Sequence, residues 1–177
     1  MATVVDDMYK PRYCENDLYI AGEPEEVNKV LEFMRSDHNE FDFEHIVPYP
    51  EELRERDEAE NASINDPEKY KAYEKKYARF EEKEDWCLRH WGTLWNAIDV
   101  VRRDRQGVCV SFKTARLPPT RIIMALGKRF HKVRFILEYF KAHDCLCGGM
   151  RCNEAKDVAP GKLTNEWSSP YHGHRGK

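Results

Sequence analysis

The sequence predicts an α+β fold in which two helices cover one face of an antiparallel sheet. Short β-prone runs recur along the chain, and two amphipathic helices of about 11 to 13 residues lie between them. The 177 residues are enough for one domain with a buried core. Such a pattern is typical of a layer of helices packed on a layer of strands.

The first elements predict a β-α-β unit. Residues 16–22 are a β-prone run that ends in a glycine. Pro24 begins an amphipathic helix, whose apolar residues recur at intervals of three and four. Residues 41–47 then partly alternate between apolar and polar before Pro48, which predicts a second strand.

Residues 51–85 differ in composition and predict a solvated helical insertion. They are dense in Glu, Lys and Arg, and Asp66 followed by proline is a plausible helix start. An aromatic stripe follows at helical spacing, formed by Tyr70, Tyr73, Tyr77 and Phe80. The stripe has two interpretations: it packs this helix on the domain, or it presents a surface to a protein partner.

The remaining elements predict a hairpin, a second helix and two strands. Residues 94–101 and 108–113 are β-prone runs on either side of a charged turn. Pro118-Pro119 opens the second amphipathic helix, and residues 133–139 alternate as a strand. Gly148-Gly149 predicts a turn into a last short strand at 150–154. The closest common plan is ferredoxin-like, with one domain over 1–158 and a flexible tail over 159–177.

Charge is divided unevenly between the two halves of the chain. Residues 1–90 carry 25 acidic and 13 basic side chains, whereas residues 91–177 carry 7 acidic and 16 basic ones. This division bears on partners rather than on fold. The beginning of the chain shows no secretory signal and no apolar run has the length of a membrane span, so we expect a cytoplasmic protein whose six cysteines are reduced.

Motif order gives the chain a resemblance to a known family. The motifs lie at residues 16–22 (NDLYIAG), 43–53 (FEHIVPYPEEL), 86–96 (WCLRHWGTLWN), 110–119 (VSFKTARLPP) and 130–149 (FHKVRFILEYFKAHDCLCGG). In this order they resemble the YubB-type ferredoxin-like domain family of phages, plasmids and integrated mobile elements. The family usually has Lys where this chain has Leu94, and an aromatic residue where it has Arg116-Leu117. The resemblance implies a fold and a mobile-element context, but no enzymatic activity, catalytic residue or cofactor.

The motif at residues 86–96, which we call the tryptophan block, also has a plain physical interpretation. Trp91 and Trp95 bury large areas when they pack, and Gly92 between them permits a tight turn. Core packing is one role for the two tryptophans. Contact with a protein partner is the other, since aromatic residues dominate protein interfaces.

A cluster of cysteines and a histidine is the candidate metal site. If residues 143–152 form a strand, a turn and a returning strand, then a zinc site is conceivable from His143, Cys145, Cys147 and Cys152. The spacing lacks the paired Cys-x2-Cys motif that makes structural zinc sites specific. Partly buried thiols and a redox pair are the alternatives, and we predict no metal and no cofactor.

Binding of a macromolecule is the function that we expect from the remaining features. Enzyme motifs such as a phosphate-binding glycine loop or a Gly-x-Ser-x-Gly elbow are missing. We expect a non-enzymatic accessory protein of a phage or mobile element that binds a protein, for example to antagonise a host defence system through its acidic segment 40–66. The alternative is nucleic-acid binding through Arg102, Arg103, Arg105, Arg121, Lys128, Arg129 and Lys132.

Overall fold

The computed structural model describes residues 13–104, 107–141 and 146–153. Their order of elements confirms the α+β class. The elements are β1 (Tyr13–Ala21), α1 (Pro24–Met34), α2 (Phe43–Ile46), α3 (Glu51–Ser63), α4 (Pro67–Tyr77), α5 (Lys83–His90), β2 (Ile98–Arg103), β3 (Val108–Ala115), α6 (Thr120–Arg129), β4 (Arg134–Lys141) and β5 (Leu146–Cys152). The predicted tail at 159–177 lies outside the described residues.

The five strands form one antiparallel sheet in the order β2-β3-β1-β4-β5. The central strand β1 pairs with both neighbours over almost its whole length, so that Leu18 lies opposite Val110 on one side and Leu137 on the other. Because side chains alternate along a strand, these three residues face the same side of the sheet. All three are buried, with 2% or less of each exposed.

Helices α1 and α6 cover that side of the sheet. Helix α1 buries Val27, Val30, Leu31 and Met34, and α6 buries Ile122, Ile123, Leu126 and Gly127. Both sets follow the helical spacing that the sequence shows, so the two predicted amphipathic helices are confirmed. The hydrophobic core therefore lies between one helical layer and one face of the sheet.

The strand predicted at residues 41–47 is wrong, because this segment contains the short helix α2. Asp42 caps the helix, since its carboxylate accepts a hydrogen bond of 3.0 Å from the amide nitrogen of Glu44. Phe41 and Phe43, which suggested alternation, are both fully buried, and their ring centroids lie 5.1 Å apart in the core. The described residues thus form five strands rather than the six predicted.

Two boundaries near the sheet edges also differ from the prediction. Gly148 and Gly149 do not form a turn, because both lie inside β5 opposite Tyr139 and Glu138. A Cβ added to Gly148 would overlap the Tyr139 hydroxyl, so the tyrosine ring occupies the space beside this glycine. At the other edge, β2 begins at Ile98 rather than at residue 94, and the residues before it form a loop.

Candidate functional site

The tryptophan block holds the helical insertion against the sheet. Trp91 is 3% exposed and donates a hydrogen bond of 2.8 Å to the carbonyl oxygen of Val47. Thr93 donates one of 2.8 Å to the carbonyl oxygen of Ala115 at the end of β3. The block therefore connects the exit of the insertion both to its entry and to the sheet.

The two tryptophans proposed for partner contact differ in their access to solvent. Trp91 packs edge to face on Phe43 and on Trp86, with ring centroids 5.9 and 5.6 Å apart. Trp95 is 45% exposed in the loop before β2. Only Trp95 thus offers surface to a partner, while Trp91 is a core residue of the insertion neck.

The aromatic stripe of α4 lies along the contact between α4 and α3. Neighbouring rings are 5.6, 5.3 and 5.2 Å apart along the series Tyr70, Tyr73, Tyr77 and Phe80. Tyr77 is buried at 9% exposure, whereas Tyr70 and Tyr73 are half-buried. Burial and the nearby carboxylate of Glu60 on α3 raise the pKa of Tyr73. The stripe therefore packs α4 on α3 and leaves part of Tyr70 and Tyr73 accessible.

A buried arginine joins the base of α3 to the segment before α5. The side chain of Arg56 is 3% exposed, and its Nη1 donates a hydrogen bond of 2.6 Å to the carbonyl oxygen of Glu81. Its Nη2 lies 2.8 Å from the carboxylate of Asp57, which also accepts a hydrogen bond from Tyr49. Burial and this hydrogen bond raise the pKa of Tyr49. Because Arg56 is paired and hydrogen-bonded, it anchors the insertion rather than offering a free charge.

Several ion pairs of the insertion form within the acidic half of the chain. Arg54 pairs with Glu44 of α2, Arg56 with Glu82, and Arg89 of α5 with Glu81. The Arg89 and Glu81 groups are 2.7 Å apart without a well-aligned hydrogen bond. Several carboxylates of α3 are exposed nonetheless, namely those of Glu51, which also pairs with Arg54, and of Glu52, Glu55 and Glu58.

The basic residues predicted to bind nucleic acid fall into two groups. Arg102 and Arg103 lie at the end of β2, and Arg102 pairs with Asp104 at 2.8 Å. The other group lies on α6 and the loop after it, and comprises Arg121, Lys128, Arg129 and Lys132. The guanidinium of Arg129 covers the ring of Phe33 at 4.2 Å. Arg105 lies outside the described residues.

The candidate metal site is not assembled by the residues that the structure describes. Cys147 and Cys152 do not face each other across a turn, because both lie on β5, five residues apart and on opposite faces. Cys147 is exposed, whereas Cys152 is buried. His143 and Cys145 lie outside the described residues. Within the described ranges, no three His, Cys, Asp or Glu side chains are arranged to hold a metal ion.

The side of the sheet opposite α1 and α6, which we call the open face, carries an unexpected surface. No helix of the described residues covers it, and its aromatic and aliphatic side chains reach solvent. The exposed fractions are 38% for Tyr13, 38% for Tyr19, 52% for Val101 and 40% for Phe140. Exposed aromatic and aliphatic side chains of this kind are common at protein interfaces.

Two carboxylates lie side by side near the middle of the open face. Asp17 on β1 is directly opposite Glu138 on β4 and, on its other side, Ser111 on β3. The Ser111 hydroxyl donates a hydrogen bond of 2.5 Å to Asp17. Burial raises the pKa of Glu138, as does the nearby Asp17, whereas Arg151 lowers it. The two carboxylates therefore place negative charge side by side, and Arg151 on the adjacent strand β5 compensates part of it.

The composition of the open face could not be predicted from local sequence, because strand pairing brings its residues together. Tyr13, Glu15, Asp17 and Tyr19 alternate with buried residues along β1. This alternation is typical of a strand with one face outside the core. It is the sequence signal from which an exposed sheet face could have been predicted. Only the strand register determines which side chains of β3 and β4 lie beside those of β1.

Comparisons of the chain with protein-family models, with curated proteins and with solved structures found no match. Among the described residues, no helix is both long enough and apolar enough to cross a membrane. The assignment of a function therefore depends on the surfaces described above.

Proposed function

We propose that the chain is a non-enzymatic protein-binding module, and that the outer surface of α3 and α4 contacts its partner. The observation that supports this most is that α3 packs mainly against α4 rather than on the sheet. The Arg56 contacts provide most of the attachment of α3 and α4 to the segment before α5. This helical pair therefore presents two sides to solvent. Such a pair suits docking on a second protein.

The chemistry of this helical pair indicates a positively charged partner. Four carboxylates of α3 are exposed, of which that of Glu51 pairs with Arg54 and that of Glu55 lies near Lys76 of α4, and Ile64 after the helix is 66% exposed. Partly accessible Tyr70 adds an aromatic ring that supplies contact area at low entropic cost. An acidic surface with aromatic and aliphatic contacts complements a basic protein surface, including one that otherwise binds nucleic acid.

We also propose that the fold is ferredoxin-like, with membership of the YubB-type family. The elements β1, α1, β2, β3, α6 and β4 follow the order of that plan. On this basis β5 is an additional edge strand and the helices α2 to α5 are inserted between α1 and β2. The mobile-element context that the resemblance implies makes a protein of the bacterial host, such as a component of a defence system, the natural partner.

Affinity capture from a bacterial host lysate, with and without nuclease, tests the proposal. The variant Glu55→Lys with Glu58→Lys reverses two exposed charges of α3. We expect it to lose a nuclease-resistant protein that the natural sequence retains. Its matched control is Glu25→Lys with Glu32→Lys, which makes the same charge change on exposed positions of α1.

Two outcomes would contradict the proposal. Equal loss of capture in both variants would show that total charge, rather than the α3 surface, governs binding. Capture that disappears with nuclease treatment and with rising salt would instead support the nucleic-acid alternative.

A further inference from the structure

Residues 58–80, which we call the arm, form the outer part of the helical insertion and have little buried interior. They comprise the end of α3, the turn after it, α4 and the segment up to Phe80. Ser63 and Tyr77 are the buried residues of the arm. Helix α1, in contrast, buries four apolar side chains within 11 residues. Because burial of apolar surface is the main stabilising contribution to folding, the arm is stabilised far less than a helix on the sheet.

The aromatic contacts of the arm are separate from the main hydrophobic core. The rings of Tyr70, Tyr73, Tyr77 and Phe80 contact one another in series, but none of them belongs to the core cluster of the described residues. Leu53, which does belong to it, precedes the arm. Helices as short as α3 and α4, with 13 and 11 residues, are marginally stable on their own. Separation of the arm therefore leaves the core between the sheet and its helices covered.

A buried guanidinium joins the two ends of the arm. Arg56 precedes the arm on α3, and its Nη1 donates a hydrogen bond of 2.6 Å to the carbonyl oxygen of Glu81, which follows the arm directly. Arg56 also pairs with Asp57 and Glu82, and its side chain is 3% exposed. We call these contacts the Arg56 clasp. A buried charge is favourable only while its partners are in place, so the clasp stabilises the state in which both ends are held together.

We propose that the arm opens as a separate unit while the sheet and its helices stay folded, and that the Arg56 clasp determines how often it opens. In the open state the α3–α4 contact and the clasp are both lost. The neck below them, in which Tyr49, Trp86 and Trp91 pack edge to face, is retained. Segments with few buried apolar contacts are those that open at the lowest free energy.

Opening also gives the binding surface of α3 and α4 a means of regulation, a consequence that rests on the proposed function. The arm carries Glu58, Ile64 and Tyr70 of that surface. A partner that needs the closed arm binds with an apparent affinity that falls with the fraction of closed molecules. Any change that weakens the clasp therefore lowers the affinity without altering a residue that contacts the partner.

Exposed ion pairs nearby contribute less to the closed state than the clasp. Arg54 lies on the same helix, but its side chain is 39% exposed and its partners Glu44 and Glu51 precede the arm. Arg89 contacts Glu81 with 67% of its own side chain exposed. Exposed pairs stabilise proteins little because solvent screens them. Arg54 is therefore the matched comparison for Arg56.

Hydrogen–deuterium exchange of the full chain, followed by peptide mass spectrometry, tests the proposal. For the natural sequence, amides of the arm are expected to be protected at least about a hundredfold less than those of β1 and β4. Ile123→Val shortens a fully buried side chain of α6. It is expected to speed exchange of β1 and β4 about threefold to tenfold and to leave exchange of the arm unchanged. This difference arises only if the arm opens without the core.

Arg56→Met, with Arg54→Met as its control, tests the clasp. Arg56→Met is expected to speed exchange of the arm at least about tenfold, because the closed state loses the clasp and the open state loses nothing. Arg54→Met is expected to change this exchange less than about threefold. The sheet is expected to stay folded in both variants, since neither touches the core between the sheet and its helices.

Three results would overturn the proposal. Equal effects of Ile123→Val on the arm and on the sheet would show that the two open only together. Equal effects of Arg56→Met and Arg54→Met would show that the clasp does not control opening. An Arg56→Met chain whose sheet is unfolded by circular dichroism would show that the clasp holds the core itself. No partner takes part in these measurements, so their failure leaves the proposed binding surface to its own capture experiment.

Discussion

The Nε1 of Trp91 donates a hydrogen bond of 2.8 Å to the carbonyl oxygen of Val47, and so joins the two ends of the helical insertion. Val47 follows α2 directly and Trp91 ends α5, so the three helices α3 to α5 lie between these residues. A buried carbonyl that loses its donor costs about 1 to 3 kcal/mol. This contact therefore contributes to the stability of the whole domain, although the insertion lies outside the sheet.

Trp91→Phe keeps an aromatic ring but removes the donor, and is expected to lower the free energy of unfolding by about 2 to 3 kcal/mol. Urea denaturation followed by circular dichroism measures the change. Trp95→Phe is the control, because Trp95 is 45% exposed and exposed substitutions change stability by about 0.5 kcal/mol or less. Equal effects of the two variants would contradict the anchoring role of Trp91.

Gly92 is held in a backbone conformation that other residues adopt only under strain. Its φ is +86°, and an added Cβ would lie 3.1 Å from the amide nitrogen of Thr120. We expect Gly92→Ala to lower the free energy of unfolding by about 2 to 3 kcal/mol, through backbone strain and this close contact. Thermal and urea unfolding measure the loss.

Gly107→Ala separates the two causes of that loss. Gly107 also has a positive φ, at +107°, but an added Cβ would meet nothing within 4 Å. The control is therefore expected to lose only the backbone component, about 1 to 2 kcal/mol. A loss at Gly107 as large as that at Gly92 would show that the contact with Thr120 does not contribute to the cost.

Asn153 lies beside the C-terminal end of α6 and bonds carbonyl groups of the helix and of the loop after it. Its Nδ2 is 2.9 Å from the carbonyl oxygen of Gly127, 3.0 Å from that of Phe130 and 2.9 Å from that of Val133. Its φ of +63° is tolerated by asparagine better than by most residues. Asn153→Ala is therefore expected to cost about 1 to 3 kcal/mol.

Asn153→Asp gives a sharper test of the same contact, because the new carboxylate would face three carbonyl oxygens. The folded state then favours the protonated carboxyl, which raises its pKa above the unfolded value. The variant is expected to be less stable than Asn153→Ala at pH 7 and to recover stability as the pH falls through the raised pKa. Urea midpoints at pH 7 and pH 5 test this, and an absence of recovery would contradict it.

Local periodicity predicted the elements whose side chains face one core. Helices α1 and α6 follow their apolar spacing, and β1 (Tyr13–Ala21) includes most of the β-prone run predicted at residues 16–22. Residues 41–47 were predicted wrongly because two buried phenylalanines two positions apart imitate a strand. The carboxylate of Asp42 between them favours a helix start instead.

Features that depend on pairing between strands far apart in the chain could not be predicted from the local sequence. Gly148 indicates a turn when only its neighbours in sequence are considered, but the ring of Tyr139 on the paired strand fills the space beside it. The open face is a second case, since Asp17 and Glu138 meet only through the register of β1 and β4. Trp91 and Trp95 have similar local sequence and opposite exposure, because only Trp91 reaches the base of the insertion.

Thiol reactivity is expected to follow burial and pKa. Burial raises the pKa of Cys14 to about 12 and that of Cys87 to about 11, whereas Cys147 is exposed. Since the thiolate is the reactive form, iodoacetamide at pH 8 is expected to label Cys147 much faster than Cys14 or Cys87. Peptide mass spectrometry measures each site. Equal labelling in the folded chain would contradict the placement, and labelling in urea is the control.

The central carboxylate of the open face is expected to destabilise a single chain near neutral pH. Burial and the neighbouring Asp17 raise the pKa of Glu138 in the folded state. A raised carboxyl pKa means that the folded state binds the proton more tightly. Its cost is thus fully present above the folded pKa and is lost as the pH falls to the unfolded value of about 4.3.

Glu138→Gln is therefore expected to raise the free energy of unfolding at pH 7, with the gain disappearing near pH 4. Urea denaturation at both pH values measures the difference. Glu15→Gln changes an exposed carboxylate of the same face and is expected to have little effect at either pH. A gain that persists at pH 4 would mean that the amide improves packing, and that the charge of Glu138 is not its cause.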